Sequence, residues 1–128
     1  MLANILRFVI SGLVEGDLDM DNDQIFVDLD GTLAHYTNYK AMKGEIGEPI
    51  PKMLERVKKW IREGKEVVIF TARANDRNEV SKIREWVKKH VGKDLEVTNI
   101  KSPRAIAFWD DRAMRIKKNT GEVEAGEE

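Results

Sequence analysis

The sequence predicts a single α/β domain with a short, mainly parallel β-sheet. Its 128 residues are the usual length of one domain, and they suffice for a hydrophobic core that needs no covalent cross-links. Hydrophobic residues make up 41% and charged residues 35%, a composition typical of a globular protein rather than a disordered one. Short β-favouring apolar runs alternate with longer segments of helical periodicity. This alternation indicates β-α-β units joined by right-handed crossovers.

The first half of the domain is predicted to form a strand, a flap and a helix. The apolar run at 25–27 favours a buried strand. Residues 31–49 contain four Gly or Pro and several polar side chains, so they predict a loop or small flap. Pro51 suits the first turn of a helix, and Gly64 suits its end. The apolar face of that helix consists of Ile50, Met53, Leu54, Val57 and Ile61.

The second half is predicted to hold three strands and a second helix. The apolar run at 67–70 reads as a buried strand. Asp76 and Glu79 have the spacing of a capping box, which opens a helix that ends at Gly92. The apolar face of this helix holds Val80, Ile83, Val87 and either His90 or Val91. A weaker strand at 95–98 and a stronger one at 105–109 complete the sheet.

The chain ends differ from this regular pattern. Residues 1–14 are mostly apolar, but Arg7 interrupts the run and no A-x-A cleavage site follows, so they do not read as a secretory signal. We expect a short amphipathic helix or edge strand packed on the domain; a partner-binding or membrane-surface segment is the alternative. The predicted organisation is an apolar segment with an acidic connection at 1–23, the domain at 24–118, and an acidic tail at 119–128.

Composition excludes several function classes. The chain has no Cys, which excludes a disulfide framework, a thiolate zinc site and a cysteine nucleophile. No apolar run approaches the ~18 residues that a membrane-spanning helix needs. The net charge of -1 argues against a generally basic nucleic-acid-binding surface. The absence of Cys and of a signal peptide allows a cytoplasmic setting.

Polar and charged side chains follow each predicted strand at its carboxyl end. In open parallel sheets, ligands bind beyond these ends. Asp28 and Asp30 follow the first strand and point to the same face, where two carboxylates repel each other unless a cation or proton separates them. The other strands deliver Thr71 and Arg73, then Lys101, and finally Asp110, Asp111 and Arg112.

These residue types suit a phosphoryl group bridged to magnesium. Carboxylates are ligands for Mg²⁺, whereas Lys, Thr and Arg bind phosphate oxygens. One carboxylate can then attack phosphorus, while a second protonates the leaving oxygen and later deprotonates water. Each residue also has a structural alternative: a lone Asp after a strand commonly caps a turn, Lys101 can be a solvated loop residue, and Arg73 and Arg112 can pair with surface acids.

The segments IFVDLDGTLA, IFTAR and FWDDR, together with Lys101, resemble the four motifs of the haloacid dehalogenase (HAD) superfamily of phosphohydrolases, in the same order. The match spans residues 24–115. The resemblance implies a Rossmann-like three-layer fold and a magnesium-dependent aspartyl-phosphate mechanism. Within the superfamily, the flap and the strand ends look similar to the phosphatase module of phage-type polynucleotide kinases, which removes 3′-phosphates.

The resemblance also implies a role for each matched residue. Asp28 is the implied nucleophile and a metal ligand. Asp30 is the implied general acid/base, with its backbone carbonyl on the metal. The other implied roles are phosphoryl binding for Thr71 and Lys101, substrate contact for Arg73 and Arg112, and metal coordination for Asp110 and, directly or through water, for Asp111.

The motif spacing leaves no room for a cap domain. Only 40 residues separate Asp30 from Thr71, and only 29 separate Thr71 from Lys101. We therefore expect an open site, which can admit a phosphorylated macromolecule such as a nucleic-acid 3′ end or a phosphoprotein; free nucleotides and sugar phosphates also fit this core. The six bases and two acids at 101–118 suit a polyanion. The alternative to an enzyme is a catalytically idle scaffold, and a homo-oligomer or a partner bound through the N-terminal segment stays open.

Overall fold

The computed structural model describes residues 23–125. The elements follow the predicted order, with one addition, a 3₁₀ turn at Ala72–Asn75 that the sequence analysis missed. Predictions for residues 1–22 and for the last three residues of the tail lie outside the described residues. The elements are β1 (Gln24–Asp28), α1 (Pro51–Arg62), β2 (Glu66–Phe70), the 3₁₀ turn (Ala72–Asn75), α2 (Arg77–Val91), β3 (Val97–Thr98) and β4 (Ala105–Trp109).

The four strands form one parallel sheet in the order β3-β2-β1-β4. Asp28 at the end of β1 pairs with Phe70 at the end of β2, and Phe70 pairs in turn with Thr98 of β3. The carboxyl ends of these three strands are therefore level with one another. The predicted α/β, Rossmann-like fold with a short parallel sheet is confirmed.

The hydrophobic core lies between one face of the sheet and the two helices. Alternate residues of β1 and β2 face the helices, as expected for the two-residue period of a strand. Among the helix residues, Val57 of α1 and Ile83 of α2 are fully buried. Both helices pack on this same face, so residues 23–125 form two layers, and no third layer lies among them. The core side chains include Ile25, Val27, Met53, Val57, Val67, Ile69, Ile83, Val87 and Val91.

The opposite face of the sheet carries three neighbouring aromatic rings. The centroids of Phe26, Phe70 and Phe108 lie 5.1 to 5.6 Å apart. The connection from β3 to β4, residues 99–104, contains no helix and has to pass from one edge of the sheet to the other. Its Lys101 ammonium lies 5.3 Å from the centre of the Phe108 ring, which indicates that the connection crosses this aromatic face.

Local sequence signals explain where the two helices begin and end. Proline occupies the first turn of α1, as predicted, and α2 ends at Gly92 in the left-handed conformation, with φ of 91°. The Asp76 side chain accepts a hydrogen bond from Asn78 N–H and caps α2. The predicted capping box is only half formed, because Glu79 binds Arg73 and Lys82 instead of closing it.

The segment between β1 and α1 forms the predicted flap, residues 31–49. Ala34 bridges to Asp30 on one side and to Pro49 on the other, and His35 N–H donates to the Glu48 carbonyl at 2.8 Å. As expected, no cap domain interrupts the described part of the chain. None of the helices in residues 23–125 combines the length and the apolar character needed to cross a bilayer.

Candidate functional site

A cavity of about 540 Å³ opens at the carboxyl ends of the strands. This is the position that the parallel-sheet rule predicts. Seven of the eight predicted site residues line it, and Lys101 does not. Those seven are Asp28, Asp30, Thr71, Arg73, Asp110, Asp111 and Arg112.

Three carboxylates from two strand ends meet in this cavity. Asp28, Asp110 and Asp111 each offer an oxygen, and all three oxygens lie within 4.8 Å of one another. The Thr32 hydroxyl lies between two of these side chains, 3.1 Å from Asp111 Oδ1 and 3.5 Å from Asp28 Oδ2. The pKa of Asp28 is raised to about 7, chiefly by burial and in addition by the Asp110 charge and a hydrogen bond with Asp111.

Gly31 allows Asp111 to approach the loop after β1. Its φ is +91°, a conformation that glycine adopts without steric cost. A Cβ at this position would also lie 2.7 Å from Asp111 Oδ2. The glycine is therefore needed for the turn, and a larger residue there would also displace the Asp111 side chain from its present position.

The acidic cluster has the donor chemistry of a divalent cation site. Within residues 23–125, no Lys or Arg forms an ion pair with Asp28, Asp110 or Asp111. Three neighbouring carboxylates without a counter-charge favour a proton or a cation, and Mg²⁺ binds carboxylate oxygens. The carboxylate of Asp30 lies outside this cluster. The side chains of Asp28, Asp110 and Asp111 therefore fit a divalent cation, the class to which the predicted Mg²⁺ belongs.

Asp30 is held by a buried arginine. Arg73 Nε donates to Asp30 Oδ2 at 2.8 Å, and Arg73 Nη2 donates to Asp30 Oδ1 at 3.0 Å. Arg73 also pairs with Glu79 at 3.2 Å. The Arg73 side chain is only 7% exposed. The two aspartates of the first motif therefore have different surroundings. Asp28 lies beside two other carboxylates, whereas Asp30 is hydrogen-bonded to the Arg73 guanidinium.

The remaining predicted residues differ in how they approach the cavity. Thr71 is buried, and its hydroxyl oxygen accepts from Arg73 N–H at 3.2 Å, which caps the 3₁₀ turn. Arg112 follows the acidic pair, and its backbone N–H donates to Asp110 Oδ1 at 2.7 Å. Lys101 lies over the aromatic face of the sheet instead of in the cavity. The connection it belongs to crosses that face, so its ammonium is directed toward Phe108.

The cavity also contains lining residues that the sequence analysis did not assign. Asn99 directly follows β3, so the strand-end rule could have found it, whereas Asn75 lies in the unpredicted 3₁₀ turn. Tyr36 of the flap also lines the cavity. Amide and phenol groups at the cavity wall add hydrogen-bonding capacity beside the acidic cluster.

Comparison with known proteins supports the fold. A solved structure of a conserved protein from Bacteroides thetaiotaomicron is similar to this chain, with 26% identity and a TM-score of 0.56 over 70% of this chain and 76% of that one. No protein-family model matches the chain. No curated protein matches it either. The function therefore has to be argued from the site itself.

Proposed function

We propose that this protein is a magnesium-dependent phosphomonoester hydrolase that works through an aspartyl-phosphate on Asp28. The observation that carries the proposal is the cluster of Asp28, Asp110 and Asp111, which shares one cavity with the Thr71 hydroxyl and with Asp30. A nucleophile, a set of metal ligands, a phosphate-binding hydroxyl and a second carboxylate are the groups that this reaction requires.

The metal would be held by Asp28, Asp110 and Asp111. When bound, Mg²⁺ supplies positive charge that offsets the three carboxylates and the phosphate oxygens. The raised pKa of Asp28, about 7, reflects its burial and the neighbouring Asp110 and Asp111 carboxyl groups. Asp28 would react as its anion.

The chemistry then needs two displacement steps at phosphorus. In the first, an Asp28 carboxylate oxygen bonds to phosphorus, the bond from phosphorus to the leaving oxygen breaks, and a proton from Asp30 passes to that oxygen. In the second, Asp30 takes a proton from water, the water oxygen bonds to phosphorus, and the bond to Asp28 breaks. Inorganic phosphate and the free Asp28 carboxylate result, and Thr71 and Arg112 bind phosphate oxygens throughout.

The cavity is suited to a substrate with an extended leaving group. It opens beside a small flap rather than beneath a cap domain, and the basic stretch at 101–118 suits a polyanion. We therefore propose a phosphorylated macromolecule, with the 3′ end of a nucleic acid as the specific candidate, in a cytoplasmic setting. A 3′-phosphorylated oligonucleotide should then be hydrolysed with higher kcat/KM than an aryl phosphate, and equal or lower efficiency would exclude this substrate.

The first test is Asp28→Asn, which keeps the side-chain shape but removes the nucleophilic charge. We expect phosphate release in the presence of Mg²⁺ to fall to background, because no bond from residue 28 to phosphorus can form. Asp94→Asn is the matched control, since Asp94 pairs with Arg84 on the surface and has no part in the cavity. Retained turnover in Asp28→Asn would contradict the covalent mechanism, and an inactive wild-type protein would favour the idle scaffold.

A further inference from the structure

Arg73 was predicted as a substrate contact, but its hydrogen bonds point to a different role. A guanidinium has five N–H donors and no acceptor. Nε and Nη2 hold the two oxygens of Asp30, and Nη1 donates to Glu79 at 3.2 Å. The other two bonds go to backbone carbonyls of the flap, to Gly44 at 2.7 Å and to Glu45 at 3.1 Å. All five donors are therefore used within the protein, and none is left for a substrate phosphate.

The same arginine connects three separate parts of the chain. Arg73 itself lies in the 3₁₀ turn after β2. Its side chain donates hydrogen bonds to Asp30 after β1, to Glu79 in the first turn of α2, and to the flap carbonyls of residues 44 and 45. The Tyr39 ring of the flap lies 5.4 Å from the guanidinium carbon, within the range of a cation–π contact.

The flap also has a second basic anchor on α2. Lys82 Nζ donates to the Gly44 carbonyl at 3.1 Å and pairs with Glu79 at 3.4 Å. The flap is thus fixed against α2 at the point where Arg73 holds Asp30.

We propose that Arg73 is a positioning residue that fixes the direction of the Asp30 carboxyl group and ties it to the flap. This inference rests on the proposed function, in which Asp30 transfers a proton. Each Asp30 oxygen has two lone pairs, so the guanidinium can hold both oxygens in one plane while the second lone pairs stay available for proton exchange. A planar two-nitrogen fork allows this, whereas a lysine ammonium is a single point donor and cannot hold two oxygens in the same way.

The test is Arg73→Lys, which keeps the charge but removes the fork. We expect kcat to fall about 10- to 100-fold, a partial loss compared with the ~10²–10⁴-fold contribution of a general acid/base, while KM changes by less than about twofold. If Arg73 instead bound the substrate and the transition state equally well, its replacement would raise KM and leave kcat unchanged. That result, or unchanged kcat and KM, would overturn the proposal.

A second measurement does not depend on activity. Hydrogen exchange of flap amides, such as Gly44 N–H bonded to the Tyr39 carbonyl, should become at least about tenfold faster in Arg73→Lys, because the flap loses its buried anchor. The matched control is Arg84→Lys, which breaks a two-pronged pair with Asp94 on the exposed surface and should leave flap exchange and kcat unchanged. Unchanged flap exchange in Arg73→Lys would overturn the link to the flap.

These two readouts separate this proposal from the proposed function. If the wild-type protein hydrolyses no phosphomonoester, the proposed function fails, and accelerated flap exchange in Arg73→Lys would still support the link. If Arg73→Lys does not fold, Glu79→Gln is the alternative variant, since it weakens the hold on Arg73 without touching Asp30. It should lower kcat about three- to tenfold at constant KM, and a selective rise in KM would overturn the positioning role.

Discussion

Asp28→Asn should stabilise the protein in the absence of metal, and more so as the pH rises. The pKa of Asp28 is raised from 3.8 to about 7, so the folded protein keeps this proton over a pH range in which the unfolded chain releases it. The wild-type free energy of unfolding therefore falls between pH 4 and 7. A shift of about three units corresponds to about 4 kcal/mol, which solvent screening of this half-exposed group reduces to about 1–2 kcal/mol.

Thermal unfolding in EDTA between pH 4 and 8.5 measures this effect. An asparagine never ionises, so the Tm of Asp28→Asn should equal that of the wild type near pH 4 and exceed it by about 4–8 °C at pH 8. Asp94→Asn is the matched control, and it should show no such gain, because Arg84 lowers the pKa of Asp94 through a hydrogen bond. A Tm difference for Asp28→Asn that stays constant with pH would refute the assignment of the raised pKa.

The remaining predictions concern the metal and the turn beside it. Asp110→Asn should weaken the Mg²⁺-dependent rise in Tm, because the stabilisation of the folded state by a bound ion grows with the logarithm of its affinity; a rise equal to that of the wild type would remove Asp110 from the ligand set. Gly31→Ala should lower the free energy of unfolding by more than about 1 kcal/mol and reduce turnover, because it combines positive φ with a Cβ 2.7 Å from Asp111 Oδ2. Chemical denaturation with activity assays checks both effects, and unchanged values would contradict the close approach.

The sequence predicted the fold well because periodicity and strand ends carry that information. β1, β2 and β4 begin and end within two residues of their predicted limits, and α1 and α2 begin and end close to the predicted proline, Asp76 and glycine signals. The 3₁₀ turn at Ala72–Asn75 was missed because four residues are too few to show a period.

The site was predicted only where a strand end determines position. Asp28 ends β1, and Thr71 and Asp110 directly follow β2 and β4, so topology alone brings them to one cavity. Arg73 also lines that cavity, but its partners depend on how the flap folds back, and the flap has no periodic pattern that reveals its path. Lys101 depends on a six-residue connection across the sheet, and the sequence does not specify which face that connection crosses.

Different surroundings assign different chemistry to two aspartates that stand only two residues apart. Asp28 neighbours two further carboxylates and no cation within residues 23–125, an arrangement that favours a divalent ion. Asp30 faces a guanidinium that carries its own positive charge, so it needs no metal for balance. The acidic side of the cavity is therefore suited to a divalent cation, whereas on the other side Arg73 fixes the orientation of the Asp30 carboxyl group.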